Sequence, residues 1–308
     1  SSSSAPACFS RRLALRSVSS LRASFGGCAM GCSLSSKKAA GAVETTLSPQ
    51  AARAEPTLLA LAQPGEQRPL STNQFKQKVC STKPQTVPLQ VKALTYNLQW
   101  WSLYDQRSGN DGSATSLIRA AAPDVMGLQE CEDVTRVMIE GGLHADYTAV
   151  QGPHSLAIVF KRAEWEMAGE GHSVVAVDME EQFFSSRSVM WVRLVHKESK
   201  KTIFFVNHHG PLRVNSGGRH GGPATAENIV RSIHCNAMPG EGVIMVGTFN
   251  AQVGSQTIRE LEGYLPRAST GVAQDGVDHF FSQLQMLGEE NLGNGGSDHD
   301  ALAATFVA

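Results

Sequence analysis

The side chains of this chain that could do chemistry are carboxylates, amides and histidines that recur between residues 97 and 299. In chain order they are Asn97, Glu130, His209, Asn250, Asp278, Asp298 and His299. Hydrolysis of a phosphate ester needs a divalent cation, a positioned water and a proton donor for the leaving oxygen. Residue types of this kind could supply all three functions if the fold brought them together.

A magnesium site is the first chemistry that these residues indicate. Glu130 and Asp298 carry the carboxylate oxygens that Mg²⁺ prefers, and Asn97 can add an amide oxygen. Mg²⁺ also keeps several of its waters, so few protein ligands suffice. We therefore expect Mg²⁺, or Mn²⁺ in its place, to be the cofactor.

Proton transfer and charge stabilisation are the second chemistry. His299 could polarise a phosphate or move a proton, with its ring oriented by a carboxylate such as Asp278. His209 and Asn250 could donate hydrogen bonds to charge that develops on phosphoryl oxygens. The choice of His209 over the adjacent His208 follows from strand register alone.

The elements that must position these groups are short strands and helices. Strands are predicted at 91–98, 124–130, 155–161, 187–195, 202–208, 242–247 and 301–307, and helices at 113–122, 132–140, 224–236 and 255–262. Most candidate side chains fall at the end of a predicted strand or in the loop that follows, where rigid sheets commonly carry functional groups.

The bulk composition is that of an ordinary globular protein. Of 308 residues, 41% are apolar and 18% are charged. The chain holds 27 basic and 28 acidic residues, but six basic residues precede the first acid, Glu44, so the remainder has a net charge of −7. This acidic balance argues against tight non-specific binding to nucleic acid, although a local basic groove stays possible.

The six cysteines form no CxxC pair, so a zinc site is not expected. Their thin spacing favours free thiols in a reducing, intracellular compartment. The chain also lacks a run of eighteen apolar residues, so no transmembrane helix is predicted.

Residues 1–88 are rich in Ser, Ala, Pro, Gln and Thr, and we expect this segment to be mostly disordered, ahead of a folded domain at 89–308. Within it, Met30-Gly31-Cys32 matches an N-myristoylation pattern with a neighbouring palmitoylation site, followed by Lys37-Lys38. The protein would be membrane-associated if Met30 is the true start. Otherwise the acid-free, Arg-rich residues 1–29 suit an organelle transit peptide, or the segment is a low-complexity tail of a cytoplasmic protein.

Six motifs, taken together, resemble the endonuclease/exonuclease/phosphatase superfamily, which has a deoxyribonuclease I-like fold. They are Tyr96-Asn97, Gln129-Glu130, Asn207-His208-His209, Gly247-Thr248-Phe249-Asn250-Ala251, Val277-Asp278-His279 and Ser297-Asp298-His299. The resemblance covers about residues 89–308 and implies a four-layer α/β sandwich of two mixed sheets flanked by helices. It places Asn97, Glu130 and Asp298 at metal positions, His209 and Asn250 at the phosphate, Asp278 at the orienting carboxylate and His299 at the catalytic histidine.

One position departs from the family pattern. The motif reads Gly-Asp-Phe-Asn, and its Asp holds or deprotonates the attacking water, whereas this chain has Thr248. A hydroxyl is not a general base near neutral pH, and losing such a base typically lowers the rate by about 10²- to 10⁴-fold. Either His208, His209 or His299 takes over, or the domain binds a phosphorylated ligand or protein partner with little turnover, or the position is a sequence variant.

The substrate is left open by the sequence. The family implies a phosphodiester, whether nucleic acid, a phospholipid headgroup or a small molecule. The Trp-Cys-Asp-Arg type motif of inositol phosphatases is missing beside Asp278, which makes that class less favoured. The oligomeric state is not indicated by the sequence.

Overall fold

The computed structural model describes residues 70–79, 88–99, 113–179, 186–212 and 217–308, and these contain twelve strands and five α-helices. The strands are β1 (Gln90–Asn97), β2 (Val125–Gln129), β3 (Tyr147–Gln151), β4 (Ala157–Lys161), β5 (Trp165–Val177), β6 (Ser186–His196), β7 (Thr202–His209), β8 (Gly242–Thr248), β9 (Arg267–Thr270), β10 (Asp278–Ser282), β11 (Gln285–Asn291) and β12 (Leu302–Val307). The helices are α1 (Thr72–Val79), α2 (Ser113–Ala121), α3 (Val134–Glu140), α4 (Gly221–Asn236) and α5 (Gln256–Tyr264).

The strands form two mixed sheets of six strands each in the described residues. The first has the order β11-β12-β1-β2-β4-β3 and the second β5-β6-β7-β8-β10-β9. β1 pairs with β2 in parallel, and β7 with β8 in parallel, at the centres of the two sheets. Each parallel pair therefore brings the carboxyl ends of two strands to the same edge.

Three clusters of apolar side chains lie between the four layers of secondary structure and stabilise their packing. The first lies between the sheets and includes Ala93 of β1, Val246 of β8 and Phe280 of β10. A second joins α2 and α3 to the first sheet, and a third joins α1, α4 and α5 to the second sheet. Helices, sheet, sheet and helices are thus stacked in that order, and the predicted four-layer α/β sandwich is confirmed.

The helices and strands predicted from apolar periodicity are confirmed, with ends that differ by a few residues. α3 begins after Asp133, whose side chain accepts a hydrogen bond from the backbone N–H of Arg136, and ends at Gly141. β3, β5, β9, β10 and β11 were not predicted from the sequence. In β11 nearly every residue is exposed, so the buried–exposed alternation that identifies strands is weak there.

α1 lies near the end of the segment that we expected to be mostly disordered, so ordered structure begins before residue 89. Phe75 and Val79 are fully buried on one face of this helix, and the backbone N–H of Leu70 donates to Oε1 of Glu227 at 2.8 Å. Two apolar residues give too weak a sequence signal, since their partners lie on α4 and α5, far along the chain. Residues 1–69 and 80–87, including Gly31 and Cys32, lie outside the described residues.

Among the described residues, none of the helices is both long enough and apolar enough to cross a membrane. Cys131 is buried and Cys235 is exposed, and both are free thiols.

Candidate active site

The layer between the sheets is apolar along most of its length and becomes polar at one end. Side chains alternate across a strand, so every second residue of β1, β2, β7, β8 and β10 faces this layer. Each of these inward rows finishes in polar residues at the same edge, namely Thr95, Asn97, Gln129, Asn207, His209, Thr248 and Asp278, all buried. The polar end of the layer is where the sequence motifs meet.

A network of buried hydrogen bonds around Asn207 joins the two sheets at this end. Asn207 of β7 donates through Nδ2 to the carbonyl oxygens of Leu128 and Ala157, both at 2.9 Å, and its Oδ1 accepts from Nε2 of Gln129 at 2.6 Å. Gly127 makes this close approach possible, because a Cβ there would lie 2.8 Å from the Asn207 side chain. Fully satisfied buried networks of this kind fix the relative position of the elements that they join.

The two predicted metal carboxylates lie near each other. Glu130 follows β2 and Asp298 lies in the loop before β12, within electrostatic reach of Glu130. Burial raises the pKa of Glu130 to about 7, a hydrogen bond from Asn97 lowers it, and the charge of Asp298 raises it. A half-buried carboxylate beside a second carboxylate is costly unless a cation neutralises the pair.

Two carboxylates, Glu130 and Asp298, would suit a magnesium ion that keeps most of its water. No group of three His, Cys, Asp or Glu side chains placed to hold a metal occurs among the described residues. Asn97 donates through Nδ2 to Oε1 of Glu130 at 3.2 Å, while its Oδ1 accepts from the backbone N–H of Gln99 at 2.9 Å. In this arrangement Asn97 positions Glu130, and its role as a metal ligand stays a prediction.

His299 and Asp278 form the hydrogen-bonded pair that the sequence predicted. Nδ1 of His299 lies 2.8 Å from Oδ2 of Asp278, and both side chains are buried. The hydroxyl of Ser297 donates to the carbonyl oxygen of Asn97 at 2.7 Å and accepts from the backbone N–H of His299 at 3.1 Å. Ser297 thereby fastens the loop of Asp298 and His299 to the end of β1.

The charges around His299 favour its protonated form. Burial alone lowers its pKa, but the hydrogen bond and charge of Asp278, together with the charges of Asp298 and Glu130, outweigh burial and raise it above its ordinary value. The carboxylates therefore stabilise the imidazolium that forms when this ring takes up a proton.

Thr248 occupies the centre of this cluster. It pairs with Asp278 across β8 and β10, is fully buried, and donates its hydroxyl proton to Oδ1 of Asp278 at 2.6 Å. Nδ2 of Asn97 lies 3.4 Å from the same hydroxyl oxygen. Asp278 thus receives two hydrogen bonds, from Thr248 and from His299, which fix its orientation.

Strand register turns the two histidines of the Asn207-His208-His209 motif to opposite faces of β7. His209 lies at the end of β7 with Nε2 3.8 Å from Oε1 of Glu130. His208 turns to the other face, where its ring packs against Phe249 and its Nδ1 lies 2.9 Å from the carbonyl oxygen of Ser188. Burial lowers the pKa of His208 to about 4, so this histidine is neutral. Its ring points away from the carboxylates.

Sequence reasoning missed Arg187 and Asp178. Nε of Arg187 donates to Oδ2 of Asp178 at 2.8 Å, and its NH1 lies 3.4 Å from Nδ1 of His209. Burial, followed by the charge of Arg187, lowers the pKa of His209 well below its ordinary value. A neutral His209 that accepts at Nδ1 carries its proton on Nε2, the nitrogen that faces Glu130. The one available signal was an arginine at the start of the strand predicted at 187–195.

Nδ2 of Asn250 donates a hydrogen bond to the carbonyl oxygen of Gly210 at 3.0 Å, which holds Asn250 beside the end of β7. Its φ of 52° and the φ of 51° at Glu130 are positive, a conformation that is unfavourable for residues other than glycine. Such outliers are often found at functional sites. All seven predicted side chains therefore belong to one region of the molecule, while their catalytic and metal-binding roles stay predictions.

Comparison with known proteins supports the fold. No protein-family model and no curated protein matches the sequence. An endonuclease/exonuclease/phosphatase family protein from Bacteroides thetaiotaomicron is similar in structure, with a TM-score of 0.60 and 15% identity over 72% of this chain and 98% of that chain. A mannosyl-6-phosphatase from the same bacterium has a TM-score of 0.57 and 15% identity, over 71% of this chain and 100% of its own. The human Nocturnin catalytic domain with bound sulfate has a TM-score of 0.53 and 15% identity, over 71% of this chain and 96% of that chain.

The chain therefore has the endonuclease/exonuclease/phosphatase fold, and the resemblance inferred from the motifs is confirmed. At these identities the likeness establishes the fold, so activity must be argued from the site itself.

Proposed function

We propose that this protein is a metal-dependent phosphoesterase that hydrolyses a phosphodiester. The observation that carries this proposal is the meeting of Glu130, Asp298, His209 and the His299–Asp278 pair at the polar end of the inter-sheet layer. Glu130 and Asp298 would hold Mg²⁺ or Mn²⁺, which when bound neutralises charge on phosphoryl oxygens. His209 would donate from Nε2, and Asn250 from its amide, to the phosphoryl group.

His299 is the residue that we assign to proton transfer. Thr248 cannot take a proton from water, and its hydroxyl already donates to Asp278. His208 faces away, and His209 presents its protonated nitrogen. Because Nδ1 of His299 donates to Asp278, its Nε2 is left to accept the proton of the attacking water, and Asp278 stabilises the imidazolium that forms.

A turnover assay tests this proposal. The protein should hydrolyse bis-p-nitrophenyl phosphate with magnesium or manganese, and a chelator should abolish the activity. Asp298→Ala should lower kcat/KM by at least about 10²-fold, on the scale of losing a metal or an acid–base group. Asp300→Ala is the matched control, since Asp300 lies in the same loop but bonds to Nδ2 of Asn291. Activity that survives both chelator and Asp298→Ala would contradict the proposal.

A second candidate function follows from Thr248, which lies where the family pattern has the water-holding Asp. In this reading the domain binds a phosphorylated ligand or protein partner with little turnover. It predicts that the wild-type protein binds orthophosphate or vanadate in a metal-dependent way while hydrolysis stays near background. Rapid hydrolysis of the diester would exclude it.

For the N-terminal region we propose acylation, on the sequence Met30-Gly31-Cys32 alone. A chain that starts at Met30 should associate with membranes through two lipid signals, because one acyl chain binds only marginally. Gly31→Ala should release it to the soluble fraction. Equal partitioning of the two forms would rule acylation out.

A further inference from the structure

His154 lies at the rim of the candidate active site, in the turn between β3 and β4. The side chain is exposed, and its Nδ1 lies 2.9 Å from the hydroxyl oxygen of Ser188, next to Arg187. On its other side, the carbonyl oxygen of Ser155 accepts from the backbone N–H of Cys131 at 2.8 Å, next to Glu130. The turn thus bridges the end of β2 in one sheet and the start of β6 in the other.

The turn packs tightly against β6. A Cβ at Gly152 would come within 2.5 Å of the sulfur of Met190, so the backbone lies directly on β6. His154 and Ser155 have φ values of 53° and 57°, two consecutive residues in the left-handed region. This conformation is costly for residues other than glycine and persists only where the surroundings impose it. Glu130 and Asn250, at the same site, share it.

The start of β6 places His154 beside the predicted phosphate contact, because Ser188, the partner of His154, adjoins Arg187, whose NH1 lies 3.4 Å from Nδ1 of His209. Partial burial of the ring, followed by the charges of Arg187 and His172, lowers the pKa of His154, and after burial the charge of Arg187 has the largest effect on the pKa of His209. Arg187 is therefore the common neighbour of His154 and His209.

The chemistry of this position suits an anion. With an oxyanion at the exposed Nε2 of His154, the ring proton lies on Nε2 and the Ser188 hydroxyl donates to Nδ1. A hydrogen bond from this ring to an anion is charge-assisted. His172 on β5 is half-buried and adds a second imidazole within electrostatic reach.

We propose that His154, backed by Ser188 and flanked by Arg187 and His172, forms a second anion subsite, so that the substrate carries a phosphate or carboxylate group in addition to the phosphate ester that is cleaved. This inference rests on the proposed function for the position of the cleaved ester. It assigns the substrate class, since a diester without a second anionic group leaves this subsite empty.

Two matched substrates test the subsite. They are thymidine 5′-(p-nitrophenyl phosphate) and the same ester with a 3′-phosphate. The wild-type protein should show a KM lower by roughly tenfold for the 3′-phosphorylated ester, on the scale of one hydrogen bond to a charged group. His154→Asn tolerates positive φ but is too short to make the contact, so the ratio of the two KM values should fall towards one.

His196→Asn is the matched control. His196 forms the same kind of pair, with Nδ1 2.9 Å from the hydroxyl oxygen of Ser199, but at the opposite end of β6. This variant should keep the wild-type KM ratio. Equal KM values for both esters in the wild type, or an unchanged ratio in His154→Asn, would overturn the subsite.

A binding measurement separates this inference from the proposed function. If neither ester is hydrolysed, phosphoesterase activity fails, but calorimetric titration still tests the subsite. Thymidine 3′,5′-diphosphate should then bind the wild-type protein roughly tenfold more tightly than thymidine 5′-phosphate, and this preference should be lost in His154→Asn. Equal affinities in the wild type would end the proposal.

Discussion

At the residue scale, strand alternation decides which polar groups meet. His209 faces the carboxylates and His208 does not because side chains alternate across β7, and the sequence predicts this from register alone. Ser297 shows why the Ser-Asp-His motif needs its first member, since this hydroxyl ties the loop to the end of β1.

Thr248 gives a prediction at this scale. Thr248→Asp places a carboxylate where the family pattern has one, and we expect the diesterase rate to rise by at least about tenfold, within the range of a restored general base. Thr248→Asn is the control, because Asn is similar in size to Asp but has no basic carboxylate. Steady-state kinetics with bis-p-nitrophenyl phosphate would measure both variants. Equal rates in the two variants would show that the missing carboxylate does not limit turnover.

Residues that act through distant partners escaped prediction. Arg187 reaches His209 across the hairpin of β6 and β7, and His154 reaches Ser188 because the turn between β3 and β4 lies against β6 of the other sheet. Neither pair has a local spacing that sequence reasoning could detect. The motif residues were found because strand ends and a family pattern mark them, and their burial and mutual distances came from the structure.

At the element scale, the long periodic segments were predictable and the short or irregular ones were not. β8 is buried throughout and reads as a strand from sequence alone. β5 contains Gly169 and Gly171, and its first half is largely exposed, so its pattern is broken. α1 has a single buried face of two residues that gains its stability from α4 and α5.

The docking of α1 gives a prediction about stability. Phe75 is fully buried in the layer that joins α1, α4 and α5, so Phe75→Ala should lower the free energy of unfolding by about 3 kcal/mol. The helix packs outside the second sheet, away from the inter-sheet layer, so diesterase activity should persist. Urea denaturation would measure the loss. Ile139→Ala, at a residue that is 61% exposed, should cost less than about 0.5 kcal/mol. Equal losses in both variants would show that α1 does not dock as described.

At the scale of the whole molecule, buried neutral histidines couple folding to pH. Nε2 of His279 lies 2.8 Å from the carbonyl oxygen of Ala251, and its Nδ1 lies 2.9 Å from the hydroxyl oxygen of Thr270. Burial lowers the pKa of His279 to about 4, as it does for His208. The unfolded chain, in which histidine titrates near 6.5, therefore binds more protons than the folded chain between these values.

The expected result is a loss of stability in acid. As pH falls from about 6.5 to 4, each of these histidines should remove on the order of 3 kcal/mol from the free energy of unfolding, and above pH 6.5 their contribution should be constant. Chemical denaturation across this range would measure the slope. His279→Gln keeps a donor and an acceptor without titrating, so it should show a shallower slope. An unchanged slope in that variant would contradict the assignment.

The central claim is that Glu130 and Asp298 hold one divalent cation at the polar end of the inter-sheet layer. Electron paramagnetic resonance of Mn²⁺ titrated into the protein tests it most directly, because free and bound Mn²⁺ are distinguished without any assumption about turnover. We expect one bound Mn²⁺ per wild-type chain, weakened by at least about tenfold in Asp298→Asn and unaltered in Asp300→Asn. Equal Mn²⁺ binding by the wild-type protein and a Glu130→Gln, Asp298→Asn double variant would contradict the claim.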